Sequence, residues 1–197
     1  MGDSNVNLAS LIGSRICHDL ISPIGAITNG LELLDMTGGT EGPEMELISD
    51  SVGNAGARIR FFRIAYGAAG DQMMGRLEVA SVLNDMSRGG RLELEWGPLE
   101  AHPRAEVRLA FLALQCLETA MPYGGTIRIA VEDGKWRLLG TADKLSVNSE
   151  LWDFSDRSDN VVITPALVQF ALLPAVAADL GRVPDMTHDA TQITLQF

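Results

Sequence analysis

The sequence is poor in histidine, cysteine and positive charge. Its 197 residues hold 3 His, 2 Cys, and 15 Lys and Arg against 26 Asp and Glu, a net charge of −11. Cys17 and Cys116 lie far apart and fit no metal-ligand spacing. Their scarcity suits a reducing cytoplasm, and Cys17 is expected to be a buried small hydrophobe. The shortage of basic residues argues against a nucleic-acid surface and against docking on an anionic membrane. Residues 1–7 carry neither a basic region nor an apolar core, so no signal peptide is expected there. Only one long apolar run occurs, at 161–178. Thr164, Pro165, Gln169 and Pro174 interrupt it and Asp159 and Asp179 flank it. It reads as a buried strand end followed by a core helix, not as a membrane span.

What is present is a globular composition, 46% hydrophobic and 21% charged. In the first third, Cys17, Leu20, Ile24, Ile27, Leu31 and Leu34 recur at alternating spacings of three and four. That is the seam of an amphipathic helix packing in a bundle. The helix is predicted to start near Asn5 or Asn7, either of which would cap it, and to run to about Met36. Glycines and Pro43 in 37–43 make a turn. A second helix is predicted over 44–69, with Ile48, Val52, Ala55, Ile59, Phe62, Tyr66 and Ala69 as its seam. Two such helices joined by a short loop form an antiparallel hairpin. One side of its apolar stripe stays wet unless a second copy covers it, so a homodimeric four-helix bundle is expected.

At about 100° per residue, His18 points roughly 130° away from the centre of the seam. The imidazole is therefore expected to face solvent or a partner. Ser22 is one turn on and Arg15 nearly one turn back, on the same face. Pro23 falls inside the helix, removes a backbone donor and loosens the turn, which frees the carbonyl of Asp19. The plain alternative is a surface histidine on an ordinary helix that carries a proline.

Beyond a linker at 70–75 the pattern changes. Helices are predicted at 77–88, 103–121 and 165–180, and strands at 92–96, 126–132, 135–141 and 191–197. Asp133-Gly134 is a strong hairpin signal. Residues 143–159 read as irregular, and His102 and His188 as surface residues. The whole is α+β: an N-terminal hairpin at 1–72, then an α/β sandwich at 76–197 with helices on one face of a mixed sheet.

His18, Asp19 and Pro23 fall on the three defining positions of His-acid-x-x-x-Pro. This run resembles the phosphoacceptor box of sensor histidine kinases. A hairpin bearing that box, followed by such a sandwich, resembles the layout of a histidine kinase core, whose sandwich is an ATPase domain. The nucleotide motifs do not follow. Thr119 stands where the kinase Asn-box has its magnesium-binding Asn, and Pro122 where it has Lys. No Asp-x-Gly-x-Gly lies between Arg137 and Leu151, and no Gly-x-Gly precedes the last helix. Phosphate cradling needs such glycines to bring backbone donors close. A box without a nucleotide site resembles the ChpT-type histidine phosphotransferases of alphaproteobacterial phosphorelays. The runs 18–27 and 120–127 carry that likeness.

The resemblance implies a cytoplasmic phosphotransferase that shuttles a phosphoryl group between receiver aspartates through His18, without binding ATP. Its partners would be a second copy and response-regulator receivers, including that of a hybrid histidine kinase. No cofactor is expected on this chain, because magnesium would come with the receiver. His18 is assigned as nucleophile and carrier. Asp19 sets its tautomer or accepts a proton. Face geometry alone, and not the resemblance, makes Arg15 a candidate to offset phosphoryl charge and Ser22 a candidate to donate a hydrogen bond, against a plain solvated helix face. Arg58, Arg60 and Arg63 are candidates to meet an acidic receiver, against a plain solvated basic run. Three rivals remain: a diverged ATP-dependent kinase, a non-enzymatic dimeric adaptor, and a receiver phosphatase that places water with Ser22.

Overall fold

The computed structural model describes residues 2–37, 42–68, 70–154 and 162–197. Two long helices, α1 (Gly2–Thr37) and α2 (Pro43–Ala65), form the hairpin. The chain continues through β1 (Met73–Met74), α3 (Arg76–Ser87), β2 (Leu92–Trp96), β3 (His102–Pro103) and α4 (Arg104–Ala120). It ends with β4 (Gly125–Glu132), β5 (Lys135–Thr141), α5 (Ser149–Trp152), a 3₁₀ turn at Pro165–Leu167, α6 (Val168–Asp179), β6 (Asp185–His188) and β7 (Gln192–Gln196). Residues 38–41 of the predicted turn, the seam residue Ala69 and residues 155–159 of the predicted irregular segment lie outside the described residues.

The main sheet has the order β2-β4-β5-β7-β6. β2 runs parallel to β4 and the other pairs are antiparallel. Alternation places Ile127, Ile129, Leu138, Ile193 and Leu195 on the buried face. The opposite face is polar, with Glu95 and Arg128 paired at 2.7 Å across β2 and β4. Helix α4 lies at the centre of the molecule. Its residues from Leu109 to Leu114 are all fully buried, because it packs on the sheet on one side and on α2 and α6 on the other. Phe111 stacks on Phe61 of α2 with ring centroids 4.8 Å apart.

The hairpin is joined to this core. Leu8, Leu11, Ile12 and Ile16 pack against it. Helix α1 begins at Gly2, ahead of the expected caps Asn5 and Asn7. Helix α2 ends at Ala65, four residues short of the predicted end. A Cβ on Gly67 would fall 2.2 Å from the Arg63 carbonyl oxygen, so only glycine fits the turn that follows. Arg104 of α4 donates to the carbonyls of Arg63 (2.6 Å) and Ala68 (3.3 Å), and Arg108 to that of Ala65 (3.2 Å). Two arginines thus satisfy and electrostatically complement the C-terminal end of α2.

Helix α1 remains helical through Pro23, whose ring is buried between the two hairpin helices. Its seam splits in two. Leu20, Ile27 and Leu34 are half-buried, whereas Cys17, Ile24 and Leu31 are exposed, Ile24 by 53% and Leu31 by 55%. On α2, Ala55 and Phe62 are buried while Val52 and Ile59 remain 54% and 47% exposed. The open residues recur every seven positions on both helices. Cys17 is therefore not the buried hydrophobe expected: it belongs to the uncovered half of the seam.

In the apolar run at 161–178 the expected buried strand end does not form: 162–164 are irregular and Val162 is exposed, and the run then becomes the 3₁₀ turn and core helix α6. No helix among the described residues is long and apolar enough to cross a membrane. The paired segments β1 and β3, the edge strand β6 and the one-turn α5 were not predicted. Two-residue strands have no period to read, and Asp185-Met186-Thr187-His188 is a polar edge with one half-buried side chain. His102 is not a surface residue. It is half-buried edge-on against Trp136, with ring centroids 4.8 Å apart.

Candidate functional site

His18 stands on the outer face of α1 with 84% of its side chain exposed. Its neighbour Asp19 points inward and is only 12% exposed. The His18 Nδ1 lies 3.2 Å from Asp19 Oδ1. An ionised carboxylate only accepts. This contact is therefore made by the tautomer that carries its proton on Nδ1 and leaves the Nε2 lone pair free toward solvent.

The other carboxylate oxygen is held from behind. Arg15 Nε donates to Asp19 Oδ2 at 2.7 Å, and the Arg58 guanidinium of α2 lies 3.8 Å from the same oxygen. Arg15 also donates from a terminal nitrogen to the carbonyl of Ala166, in the 3₁₀ turn before α6, at 2.7 Å. Arg15 is thus engaged on the inner side of the helix. The helix-face reading put it beside the imidazole, to meet phosphoryl charge. A long side chain folds toward the strongest partner in reach, and that partner is Asp19 one turn on.

Ser22 is exposed one turn beyond His18, at the rim of a shallow cleft shared with Asp50, Asn54 and Arg58. Pro23 packs at the base of that cleft, on the side of α1 away from the imidazole. The basic run on α2 is largely committed within the chain. Arg58 donates to Asn54 at 2.9 Å and Arg60 to Asp85 at 2.7 Å, while Arg63 is exposed.

Beneath Asp19 a cleft of about 320 Å³ separates the hairpin from the sandwich. Arg15, Asp19, Arg58, Arg91, Gln115 and Glu118 supply its polar lining. Burial pushes the Glu118 carboxyl up to about 7, against the pull of Arg15 and Arg58, and Asp19 adds to the rise. Burial likewise raises the Tyr66 phenol to about 12, although its hydroxyl donates to Gln115 at 3.0 Å.

Thr119 sits on the last turn of α4. Its hydroxyl donates to the Gln115 carbonyl at 3.0 Å and accepts from Gln169 Nε2 at 3.0 Å. Gln169 is buried and also donates to the Ala166 carbonyl at 3.1 Å, the same oxygen that Arg15 uses. Among the described residues no group of three or more His, Cys, Asp or Glu could hold a metal ion. Sequence reasoning missed Arg58 as a partner of Asp19, and it missed Glu118, Gln169 and the Ala166 carbonyl altogether. Arg58 and Glu118 are distant in the chain, and a backbone carbonyl leaves no sequence signal.

Comparison with known proteins agrees with this arrangement. The family model described as the histidine phosphotransferase C-terminal domain matches residues 76–192. Protein phosphotransferase ChpT of Brucella abortus (strain 2308) is 40% identical over 132 residues, 66% of this chain; the match spans 63% of that relative's length. A solved structure of a bacterial phosphotransferase superposes with a TM-score of 0.81 at 32% identity, over 97% of this chain and 95% of that one. An exposed histidine backed by an acid, a split bundle seam and a sandwich whose sequence matches this model over most of its length have one common reading: the chain belongs to the ChpT-type histidine phosphotransferase family.

Proposed function

We propose that this protein carries phosphoryl groups between response-regulator receivers, with His18 as the carrier. The observation that carries the proposal is the His18 turn: a solvent-facing Nε2 whose opposite nitrogen is hydrogen-bonded to Asp19. Nε2 attacks the phosphorus of a receiver's aspartyl phosphate. The N–P bond forms as the P–O bond to the receiver breaks, and the receiver carboxylate leaves with the electron pair. Positive charge that develops on the ring faces Asp19 Oδ1. The second receiver reverses the step, its aspartate attacking and the imidazole leaving. Such transfer depends on in-line placement and charge stabilisation more than on covalent chemistry from the protein. Magnesium belongs to the receiver's acidic pocket. Ser22, exposed one turn beyond His18, donates to a phosphoryl oxygen. Residues 1–72 act as the phosphotransfer and dimerisation stem, and 76–197 as the sandwich behind it.

Two further features support the reading. The open heptad stripes on α1 and α2 match what a second hairpin covers in a four-helix bundle, so the working form is a homodimer. The Thr119 hydroxyl, at the position matched to the kinase metal ligand, is engaged by Gln115 and Gln169. On this reading His18 is loaded from a phosphorylated receiver and not from ATP.

Incubation with a radiolabelled phospho-receiver tests the proposal. The native protein should become labelled and pass the label to a second receiver, and His18→Ala should do neither while retaining its fold. Transfer that survives in His18→Ala refutes the assignment. Receiver binding without labelling of the native protein makes it an adaptor. Titration with ATP and magnesium should show no binding, and micromolar affinity would favour a diverged kinase.

A further inference from the structure

We infer that Arg15 is a positioning residue, through which the sandwich domain fixes the tautomer and orientation of His18. The inference rests on the carrier role of His18 proposed above. The chain of contacts is continuous. Gln169 Nε2 and Arg15 both donate to the Ala166 carbonyl, at 3.1 and 2.7 Å. Arg15 Nε donates to Asp19 Oδ2 at 2.7 Å, and Asp19 Oδ1 meets His18 Nδ1 at 3.2 Å.

Each link is directional. A guanidinium presents its donors in a rigid plane, so one group anchored on Ala166 fixes where the Nε proton points. That proton takes Oδ2 and leaves Oδ1 turned to the imidazole. A carboxylate on an exposed helix face otherwise samples several rotamers. Here Asp19 is largely covered and its second oxygen is occupied, so one rotamer is selected. The imidazole then keeps its proton on Nδ1 and presents Nε2 for attack. Thr119 and Gln169 form a strut behind this contact. Gln169 links Thr119 to the Ala166 carbonyl, and that carbonyl anchors the phosphotransfer helix.

Arg15 touches neither the imidazole nor the space in front of Nε2 through any of these contacts. Its effect on transfer must therefore pass through Asp19. That distinguishes it from a residue that binds the phosphoryl group or docks the receiver.

The test uses the full chain with ¹⁵N-labelled histidine. Imidazole ¹⁵N shifts report the tautomer directly, with or without phosphotransfer. In the native protein His18 should be predominantly the Nδ1–H form at pH 8. Arg15→Met should lose that predominance. Its phosphorylation rate, both by a phospho-receiver and by the small donor phosphoramidate, should fall about tenfold, the scale on which losing an orienting partner affects a liganding histidine. Arg15→Lys keeps the charge but not the planar fork, and should lie between the two. Circular dichroism checks that each variant is folded, and Arg15→Lys carries the same criteria should Arg15→Met fail to fold. An unchanged tautomer overturns the inference whatever the rate does, as does a changed tautomer with native rates. Slowed transfer from the receiver but not from phosphoramidate makes Arg15 a docking residue, which also overturns it. Failure of the carrier role itself reads separately, as a native protein that neither donor labels on His18.

Discussion

Asp19 turns its two oxygens to different partners, one to the imidazole and one to a guanidinium that is itself anchored elsewhere. The inward partner accounts for its low exposure beside a fully presented histidine. The same cluster contains a carboxyl in the opposite condition. Burial holds Glu118 in its neutral form up to about pH 7, although two guanidinium groups pull the other way. Its folded-state pKa lies above the ordinary value of 4.5. Between about pH 4.5 and 7 the folded state therefore holds more protons than the unfolded chain, and this group's contribution makes stability fall as pH rises through that window. Above it the penalty is constant. Glu118→Gln should flatten that slope and leave the protein more stable than the native form at pH 8, by about 1–2 kcal/mol. Urea melts of both proteins at pH 5 and pH 8 check this; a variant whose stability falls as steeply between them as that of the native protein would contradict it.

Among the elements, α2 shows how a helix end is decided by something outside the helix. Its carbonyls at Arg63 and Ala65 and that of Ala68 beyond are taken by Arg104 and Arg108, and Gly67 permits the turn. Arg104→Ala leaves two of these acceptors without their partner. Thermal or denaturant unfolding should register a loss of about 1–2 kcal/mol, and amide exchange should quicken first in the last turn of α2. The predicted end at Ala69 followed the apolar period. The period continues through Tyr66, but the backbone had to leave the helix to reach the sandwich. Much else at this scale was legible: β2 and β5 fall on the predicted residues, and α3 and α4 within one residue at each end. Their signals are local, an alternation of two or a repeat near 3.6. The paired segments β1 and β3 and the edge strand β6 depend on a partner supplied by the fold, and their own residues carry no period.

At the scale of the whole molecule, the open stripes of α1 and α2 define the face on which a second copy should sit. Ile24→Glu with Val52→Glu places charge in both stripes, away from His18 and from the core. Sedimentation should show the native protein as a dimer and this variant as a monomer. A native protein that remains monomeric at tens of micromolar would remove the bundle from the proposal. Phosphorylation of the monomeric variant by phosphoramidate should persist, because the His18, Asp19, Arg15 and Ala166 contacts all lie within one chain.

The sequence by itself determined the helical seam, the outward His18, the α+β class and the missing nucleotide motifs. Each of these is written in residue type and spacing along a single stretch of chain. Only the tertiary structure decided that half of the seam is open, that Cys17 lies on that half and that His102 packs against Trp136. It also decided that Arg15 faces inward, to Asp19 and to a carbonyl 151 residues away. These outcomes depend on which surfaces meet once the hairpin lies against the sandwich. That meeting turns on distances across the fold, and helical periodicity fixes only the angle at which a residue leaves its own helix.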